Sequence, residues 1–351
     1  FSKTRPTTQG DPTARREAPQ PKLTRDHPHT LNTLHPMYPQ VEPYDQGMLD
    51  VGDNQLIHYE VSGNPNGKPA VVFHGGPGSG LNTRWRQDFD PDHWKLVLWS
   101  QRGSGKSTPP ASDPATDMSV NTTQHLIDDA EKLREHLKIE KWLVEGGSWG
   151  STLVLAYAIQ HPTRVSEIII PAVTAGRPEE LEWITRGLGL FFPDYFEAFQ
   201  NGVPEEDRDG NLALAYNKLL NDPDSKTREK AAWDWNKWDL STITGGDNDF
   251  EGTRYEDPVM RYQLARTVTH YWAQDCFLEP DYIFDNLDKL KGIPAVLIHG
   301  RNDFGGPLRT AWELAKRWPD AELVILNDAG HLIMEGNSMD TAIAAAIDKF
   351  R

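Results

Sequence analysis

The sequence predicts an α/β fold with a mostly parallel sheet covered by helices on both faces. Two observations favour this class. Short apolar runs bounded by glycine, proline or polar residues recur along the 351-residue chain. Stretches with the helical period separate several of these runs. Strands that alternate with helices form parallel sheets, because each crossover helix packs back against the sheet.

The elements are predicted in chain order from local patterns. Apolar residues on both sides of Gly52-Asp53-Asn54 indicate a hairpin over 49–61. The elements that follow it are strands over 70–73 and 96–99, a helix over 122–137, a strand over 142–145, a helix over 152–160 and a strand over 165–170. After an interruption the pattern resumes with a strand over 295–298, a helix over 310–317, a strand over 322–326 and a helix over 339–350.

Three regions of the chain differ in composition. Residues 1–36 hold six prolines and few aliphatic residues, which predicts a flexible N-terminal arm. Residues 37–174 and 288–351 carry the strand and helix alternation, and we assign them to one α/β core. Residues 175–287 are rich in aromatic and charged side chains with amphipathic stretches, so we expect a helical cap inserted into that core.

Charge and hydropathy narrow the classes of partner. The chain carries a formal net charge of −16, which argues against nucleic acid and anionic membrane, since both require a basic face. The sequence contains no run of about 18 apolar residues, so we expect no membrane span. No signal-peptide pattern opens the chain at Phe1, and we expect a cytoplasmic protein. Cys276 is the single cysteine, so we expect an inert buried thiol and no internal disulfide.

The stretch Gly146-Gly147-Ser148-Trp149-Gly150 lies where a predicted strand meets a predicted helix. A serine with glycines two residues before and after it at such a junction is typical of a nucleophile elbow. The glycines leave room for a strained turn. The helix directs its N-terminal N–H groups at the serine, where negative charge develops in acyl transfer. The alternative is a glycine-rich turn with a capping serine.

A serine nucleophile requires a base, and the base requires a carboxylate to orient it. Asp303 follows the predicted strand 295–298, and His331 follows the strand 322–326. The order serine, aspartate, histidine, each after its own strand, predicts a catalytic triad of Ser148, Asp303 and His331. The rival bases are His74, His161, His270 and His299. Of these, we expect His74 and His299 to pack or hydrogen-bond beside the site.

An oxyanion hole needs two N–H donors directed at one point. Trp149 follows the serine directly and supplies the first. The loop His74-Gly75-Gly76-Pro77-Gly78 supplies the second from Gly75 or Gly76, since glycine lets a carbonyl approach the backbone closely. No cluster of histidine, cysteine and carboxylate has metal-ligand spacing, so we expect no metal.

Together these motifs resemble the proline iminopeptidases of the α/β-hydrolase superfamily. The resemblance covers 38–350 and rests on several motifs: Glu42-Pro43-Tyr44, Gly47-Met48-Leu49, Gly63-Asn64-Pro65-Asn66-Gly67-Lys68-Pro69, the His74 loop, Gln101-Arg102-Gly103-Ser104-Gly105, the Ser148 elbow and His299-Gly300-Arg301 with Asp303. It implies an α/β core with a helical cap and the triad named above. It also implies release of an N-terminal proline from a peptide without metal or cofactor.

The chain departs from this family at several positions. Ser100 stands where the family usually has aspartate, and Ile169-Ile170-Pro171-Ala172 where it usually has Leu-Arg-Gly-Ile. The family binds the substrate ammonium with two cap glutamates. The resemblance places these two substrate-binding positions at Asp239, a shorter carboxylate, and at Val268, an apolar side chain.

These departures leave three readings of function open. The first is a proline iminopeptidase with a modified amine site, and the breadth of the resemblance favours it. The second is an esterase, amidase or acyltransferase that acts on a small-molecule acyl substrate. The third, a catalytically silent binding protein, is disfavoured by the complete triad. The sequence does not indicate the oligomeric state.

Overall fold

The computed structural model describes residues 22–25, 37–246, 250–334 and 336–351. The described residues form nine strands: β1 (Lys22–Arg25), β2 (Asp45–Gly52), β3 (Gln55–Gly63), β4 (Lys68–Phe73), β5 (Trp94–Trp99), β6 (Trp142–Gly146), β7 (Val165–Pro171), β8 (Ala295–Gly300) and β9 (Ala321–Leu326). The described helices are α1 (Thr123–His136), α2 (Trp149–Gln160), α3 (Pro178–Thr185), α4 (Pro193–Asn201), α5 (Leu212–Leu220), α6 (Ser225–Thr244), α7 (Pro258–Trp272), α8 (Tyr282–Asp285), α9 (Leu308–Arg317) and α10 (Ser338–Lys349).

The strands form a single sheet in the order β1-β9-β8-β7-β6-β4-β5-β3-β2. The β2–β3 and β3–β5 pairs are antiparallel, and the other pairs are parallel. The predicted α/β class is therefore confirmed. Since the carboxyl ends of parallel strands meet at one edge, the loops after β4, β6, β8 and β9 lie together there.

Helices cover both faces of the sheet, as a parallel sheet requires. Buried side chains of α1, α2 and α9 pack on one face, where Leu126, Leu153 and Leu314 are fully buried. The helix α10 packs on the other face, where it buries Met339 and Ile347. The two layers bury the central strands β6 and β8 completely, whereas the edge strand β2 is largely exposed, so the centre of the sheet is a rigid platform for the loops at its edge.

The six helices from α3 to α8 lie between β7 and β8 in the sequence. They fall within the predicted insertion 175–287, whose status as a separate cap stays a prediction. An aromatic cluster joins three of these helices. The Phe199 ring stacks on Tyr216 and on Trp238, with ring centroids 4.7 and 5.2 Å apart. These stacks hold α4, α5 and α6 together around a second hydrophobic core.

The predicted flexible arm, residues 1–36, lies outside the described residues except for β1. This short strand pairs in parallel with β9, with Lys22 opposite Glu322 and Arg25 opposite Ile325. The sequence did not indicate this strand. Among the described helices, none is long and apolar enough to span a membrane.

Candidate active site

Ser148 occupies a strained turn between β6 and α2, with φ 56° and ψ −127°. The turn is possible because the neighbouring glycines have no side chains. A Cβ atom on Gly146 would lie 2.6 Å from the Gly150 carbonyl oxygen, and one on Gly150 would lie 2.2 Å from the Phe73 carbonyl oxygen. Both contacts are shorter than van der Waals packing allows, so the elbow requires glycine at these two positions.

The structure brings Ser148, His331 and Asp303 into one hydrogen-bonded row. His331 Nδ1 lies 2.8 Å from Asp303 Oδ2 and 3.0 Å from Oδ1. His331 Nε2 lies 3.1 Å from Ser148 Oγ. The carboxylate is thus placed to hold the proton on Nδ1 and leave Nε2 free to accept the serine proton. Asp303 and His331 come from the loops after β8 and β9, as the sequence predicted.

The two partners shift each other's pKa in opposite directions. Burial by itself raises the pKa of Asp303, but the charge and hydrogen bond of His331 outweigh it, so the pKa lies below its ordinary value. Burial by itself lowers the pKa of His331, but the facing Asp303 outweighs this effect, so the pKa lies above 6.5. The pair therefore favours an ionised carboxylate beside a basic imidazole.

His299, a rival base, is a buried support for the Asp303 loop. Its Nδ1 accepts a hydrogen bond from the Val173 N–H at 3.0 Å, so its Nε2 carries the proton and donates to the Gly306 carbonyl at 2.7 Å. Gly306 N–H in turn donates to Asp303 Oδ1 at 2.7 Å. Burial lowers the pKa of His299, which keeps the ring neutral in this role.

His74 is likewise structural. Its Nε2 accepts from the Gln101 N–H at 2.9 Å, and burial lowers its pKa to about 4. The Gln101 side chain donates to the His74 carbonyl at 2.8 Å and accepts from Trp149 Nε1 at 3.0 Å. Gln101 therefore ties the glycine loop to the residue that follows Ser148. Sequence reasoning missed this role, although the Gln101-Arg102-Gly103 motif pointed to the residue.

The other two candidate bases, His270 and His161, make contacts that do not involve Ser148. His270 Nε2 lies 2.9 Å from the Asn121 carbonyl oxygen, and His161 Nδ1 lies 3.9 Å from the Glu131 carboxylate. Among the five candidate histidines, His331 alone hydrogen-bonds Ser148 in the described chain.

The predicted oxyanion donors lie beside the serine. Gly75 packs against the elbow so closely that a Cβ atom on it would lie 3.1 Å from the Gly147 carbonyl oxygen and 3.5 Å from Ser148 Cβ. Within the described chain, the N–H groups of Gly75, Gly76 and Trp149 donate to no backbone carbonyl. Unpaired N–H groups at this position are available to a substrate oxyanion.

Two cavities meet at Ser148 and His331, which line both of them. The larger has a volume of about 650 Å³. The smaller has a volume of about 70 Å³, and Trp149, Thr174 and Ile184 are among its lining residues. Ser148 thus faces one small cavity and one large cavity.

The structure places both predicted substrate-binding positions at these cavities. Asp239, on α6, lines both cavities, and Val268, on α7, lines the larger one. The Tyr255 hydroxyl donates to Asp239 Oδ2 at 2.7 Å, and Arg254 donates to the same hydroxyl at 3.2 Å. Sequence reasoning missed Tyr255 and Arg254, because nothing in the local pattern links them to Asp239.

Three glutamates near the start of α3 are occupied elsewhere. Glu180 Oε1 accepts from the Thr310 hydroxyl at 2.5 Å, and its Oε2 accepts from two backbone N–H groups. Glu179 pairs with Arg177 at 2.6 Å, and Glu182 is exposed beside Arg186. Asp239 is therefore the cavity carboxylate best placed between the two chambers. No group of metal-binding side chains occurs among the described residues.

The class of protein follows from this fold and geometry. A serine on a strand–turn–helix elbow, with aspartate and histidine after later strands of a parallel sheet, defines a serine hydrolase of the α/β-hydrolase fold. Residues 68–338 match the family model described as alpha/beta hydrolase fold. The solved structure of MGS-M2, an alpha/beta hydrolase from a deep-sea metagenome library, covers 86% of this chain and 97% of its own with a TM-score of 0.61. At 19% identity this likeness shows the fold alone.

Curated relatives narrow the class to one family. The "Probable proline iminopeptidase" of Streptomyces coelicolor is 49% identical over 90% of this chain and 97% of its own length. The "Proline iminopeptidase" of Arabidopsis thaliana is 40% identical over 90% of this chain and 84% of its own length. This chain belongs to the proline iminopeptidase family.

Proposed function

We propose that this chain is a serine aminopeptidase that releases an N-terminal proline from small peptides through a prolyl-enzyme ester. The Ser148–His331–Asp303 row beside two unequal cavities is the observation that carries the proposal. The names and high coverage of the curated relatives support the substrate class. Because these relatives are named as proline iminopeptidases, a non-peptide acyl substrate is not favoured. A cytoplasmic location and independence from metal and cofactor belong to the same proposal.

In the first half of the reaction, Ser148 Oγ attacks the prolyl carbonyl carbon while His331 Nε2 takes the hydroxyl proton. The negative charge that develops on the carbonyl oxygen is stabilised by the N–H groups of Trp149 and of Gly75 or Gly76. The tetrahedral intermediate collapses as His331 gives the proton to the leaving amine. The C–N bond breaks, the shortened peptide departs and a prolyl ester remains on Ser148.

In the second half, His331 removes a proton from water, and the resulting hydroxide attacks the prolyl ester. The ester C–O bond breaks and the proton returns to Ser148 Oγ, so the enzyme is regenerated and proline is released. Asp303 stays ionised throughout and stabilises the imidazolium that forms twice in the cycle.

The two cavities explain selectivity for a short acyl group. The small cavity, about 70 Å³, admits a compact ring and excludes a long acyl chain, and the large cavity takes the peptide that leaves. Asp239 lines both, which supports its carboxylate as the partner of the secondary ammonium of an N-terminal proline. A cation that leaves water needs such a partner.

The proposal is tested with three substrates on the wild-type enzyme: proline anilide, N-acetylproline anilide and a simple acyl ester of similar size. We expect kcat/KM for free proline anilide to exceed that for the acetylated compound, because acetylation removes the charge that Asp239 binds. Efficient hydrolysis of the ester alone would instead assign the enzyme to non-peptide acyl substrates.

A further inference from the structure

A carboxylate that the proposed mechanism does not use lies at the floor of the large cavity. Glu145 is the fourth residue of β6, three positions before Ser148. Side chains alternate along a strand, so Glu145 shares the α10 side of the sheet with Leu143. Its side chain is only 4% exposed, and it lines the same cavity as Ser148 and Asp239.

Glu145 lacks the partner that a buried carboxylate requires. Its Oε2 atom is buried and accepts no hydrogen bond from the residues that the structure describes. Desolvation penalises a charge in this position. Burial above all, together with the nearby Asp88 carboxylate, raises the pKa of Glu145 to about 8 against the lowering effect of Arg84. A cation delivered to this point would relieve the penalty.

The charges around Glu145 favour a cation over an anion. The Arg84 guanidinium donates to Asp88 at 3.2 Å and also to Asp340. One guanidinium therefore faces three carboxylates when Glu145 is included. Burial also raises the pKa of Asp88 to about 7, so an added positive charge would lower the pKa of both carboxyl groups and favour their ionised forms.

The other basic residues of the cavity are engaged at different points. Lys106 is mostly exposed and lies 4.0 Å from Glu60. Arg254 donates to the Ser79 hydroxyl at 2.8 Å and to Tyr255. Neither side chain hydrogen-bonds Glu145 in the described chain, so neither of them neutralises its carboxylate.

Glu145 lies on the side of the site that takes the leaving peptide. It lines the large cavity and not the small one, and the small one is the chamber suited to the prolyl ring. Three residues of extended chain span about 10 Å at most, which limits the distance between the Cα atoms of Glu145 and Ser148. A long side chain on the residue after proline is therefore able to reach the carboxylate.

We infer that Glu145 forms a cation-binding subsite for the residue that follows the N-terminal proline, and that arginine or lysine is preferred there. The inference rests on the proposed prolyl aminopeptidase function. It concerns specificity alone, since Glu145 does not contact Ser148 or His331 in the hydrogen-bonded row.

The experiment compares two substrates that differ in charge and hardly in shape, prolyl-arginine amide and prolyl-citrulline amide. For the wild-type enzyme, assayed at a pH above the Glu145 pKa of about 8, we expect kcat/KM to be about tenfold higher for the arginine compound, the effect of one hydrogen bond to a charged group. In Glu145→Gln the ratio of the two values should fall close to one, because the amide keeps the shape and loses the charge.

Glu167→Gln is the matched control. Glu167 is also a sheet carboxylate with a buried, unpartnered Oε2 atom, but it pairs with Lys68 at 2.7 Å and lines neither cavity. In the Glu167→Gln variant, the ratio of kcat/KM for the arginine compound to that for the citrulline compound should equal the wild-type ratio. Labelling of Ser148 with a fluorophosphonate verifies that each variant has a folded site.

The outcomes separate the inference from the function on which it rests. If the wild-type enzyme has nearly equal kcat/KM values for the arginine and citrulline compounds, the subsite is overturned by that measurement alone, without data on a variant. A high ratio that persists in Glu145→Gln assigns the preference to another group and also overturns it. If neither peptide nor proline anilide is hydrolysed while an acyl ester is, the proposed function itself fails, and the subsite with it.

Discussion

At the scale of single residues, Ser148 shows how sterics prepare the chemistry. Its positive φ is held by a hydrogen bond from its own N–H to the Ala172 carbonyl at 3.0 Å. Among the residues that the structure describes, no backbone carbonyl accepts a hydrogen bond from the Trp149 N–H in this turn. Strain in the backbone and an unpaired donor are both unfavourable for folding. The rigid sheet sustains them, and both serve the proposed acyl transfer.

Replacement of the nucleophile is the first prediction. In Ser148→Ala we expect the fold to persist and kcat on the proposed substrate to fall by several orders of magnitude, as loss of a triad member does. Steady-state kinetics with proline anilide and a thermal unfolding curve measure the two effects. Near-normal turnover in the variant, or fluorophosphonate attached to another residue, contradicts the assignment.

The pH dependence of the base is the second prediction. His331 must be neutral to accept the serine proton, so kcat/KM should fall as the pH decreases through its pKa. Because Asp303 holds that pKa above the ordinary value of 6.5, the midpoint of the acid limb should also lie above 6.5. A neutral acyl ester is the appropriate substrate, since no substrate amine titrates with it.

Asp303→Asn provides the control for this profile. Without the carboxylate, burial is left as the main influence on His331, so the midpoint should move to lower pH while kcat decreases strongly. An unchanged midpoint would mean that another group controls the acid limb.

At the scale of elements, α6 and α7 supply side chains that line the large cavity. Asp239 and Val268 come from these two helices, which pack against each other at the second hydrophobic core. Residues far apart in the sequence thus face one cavity, and Val268 is only 7% exposed there. The resemblance to the family implies a carboxylate at this position, so with valine here we expect Asp239 to carry a larger share of the proposed ammonium binding.

Restoring the missing carboxylate is the third prediction. In Val268→Glu the preference for free over N-acetylated proline anilide, measured as the ratio of kcat/KM values, should rise about tenfold, the effect of one added charge-assisted contact. Val268→Gln is the matched control, since it has the same shape without the charge. An equal rise in both variants would assign the effect to packing, and no rise would place position 268 outside the amine site.

At the scale of the whole molecule, β1 protects one edge of the sheet. It covers β9, and the loop after β9 carries His331. An uncovered strand exposes unpaired N–H and carbonyl groups, which also promote association between chains. The N-terminal region therefore contributes to the sheet on which the site is built.

Removal of residues 1–26 is the fourth prediction. Loss of the pairing between β1 and β9 should lower the free energy of unfolding by about 2 kcal/mol, the net effect of a few backbone hydrogen bonds. Thermal denaturation and light scattering measure stability and self-association. A shortened chain with unchanged stability would mean that β1 contributes nothing to the sheet. Removal of residues 1–20, which spares β1, is the control.

The sequence by itself determined the class of fold and the order of the reacting groups. Periodicity and turn residues are local properties, so the alternation of strands and helices could be predicted from them. The Ser148 elbow, Asp303 and His331 were identifiable because each follows its own strand, and parallel strands end at one edge. Resemblance added Asp239 and Val268 as positions at the site.

Only the tertiary structure decided which groups meet across the sheet and the cap. It showed that His331, and not His299, hydrogen-bonds Ser148 in the described chain. It also paired Asp239 with Tyr255 and placed β1 beside β9. It also showed that Glu145 lines the large cavity and that its Oε2 atom accepts no hydrogen bond from the described residues. These facts depend on distances between residues far apart in the chain, which hydrophobic period and motif spacing do not encode. Burial, and hence the pKa of each buried group, is likewise set by packing and not by the residue's neighbours in sequence.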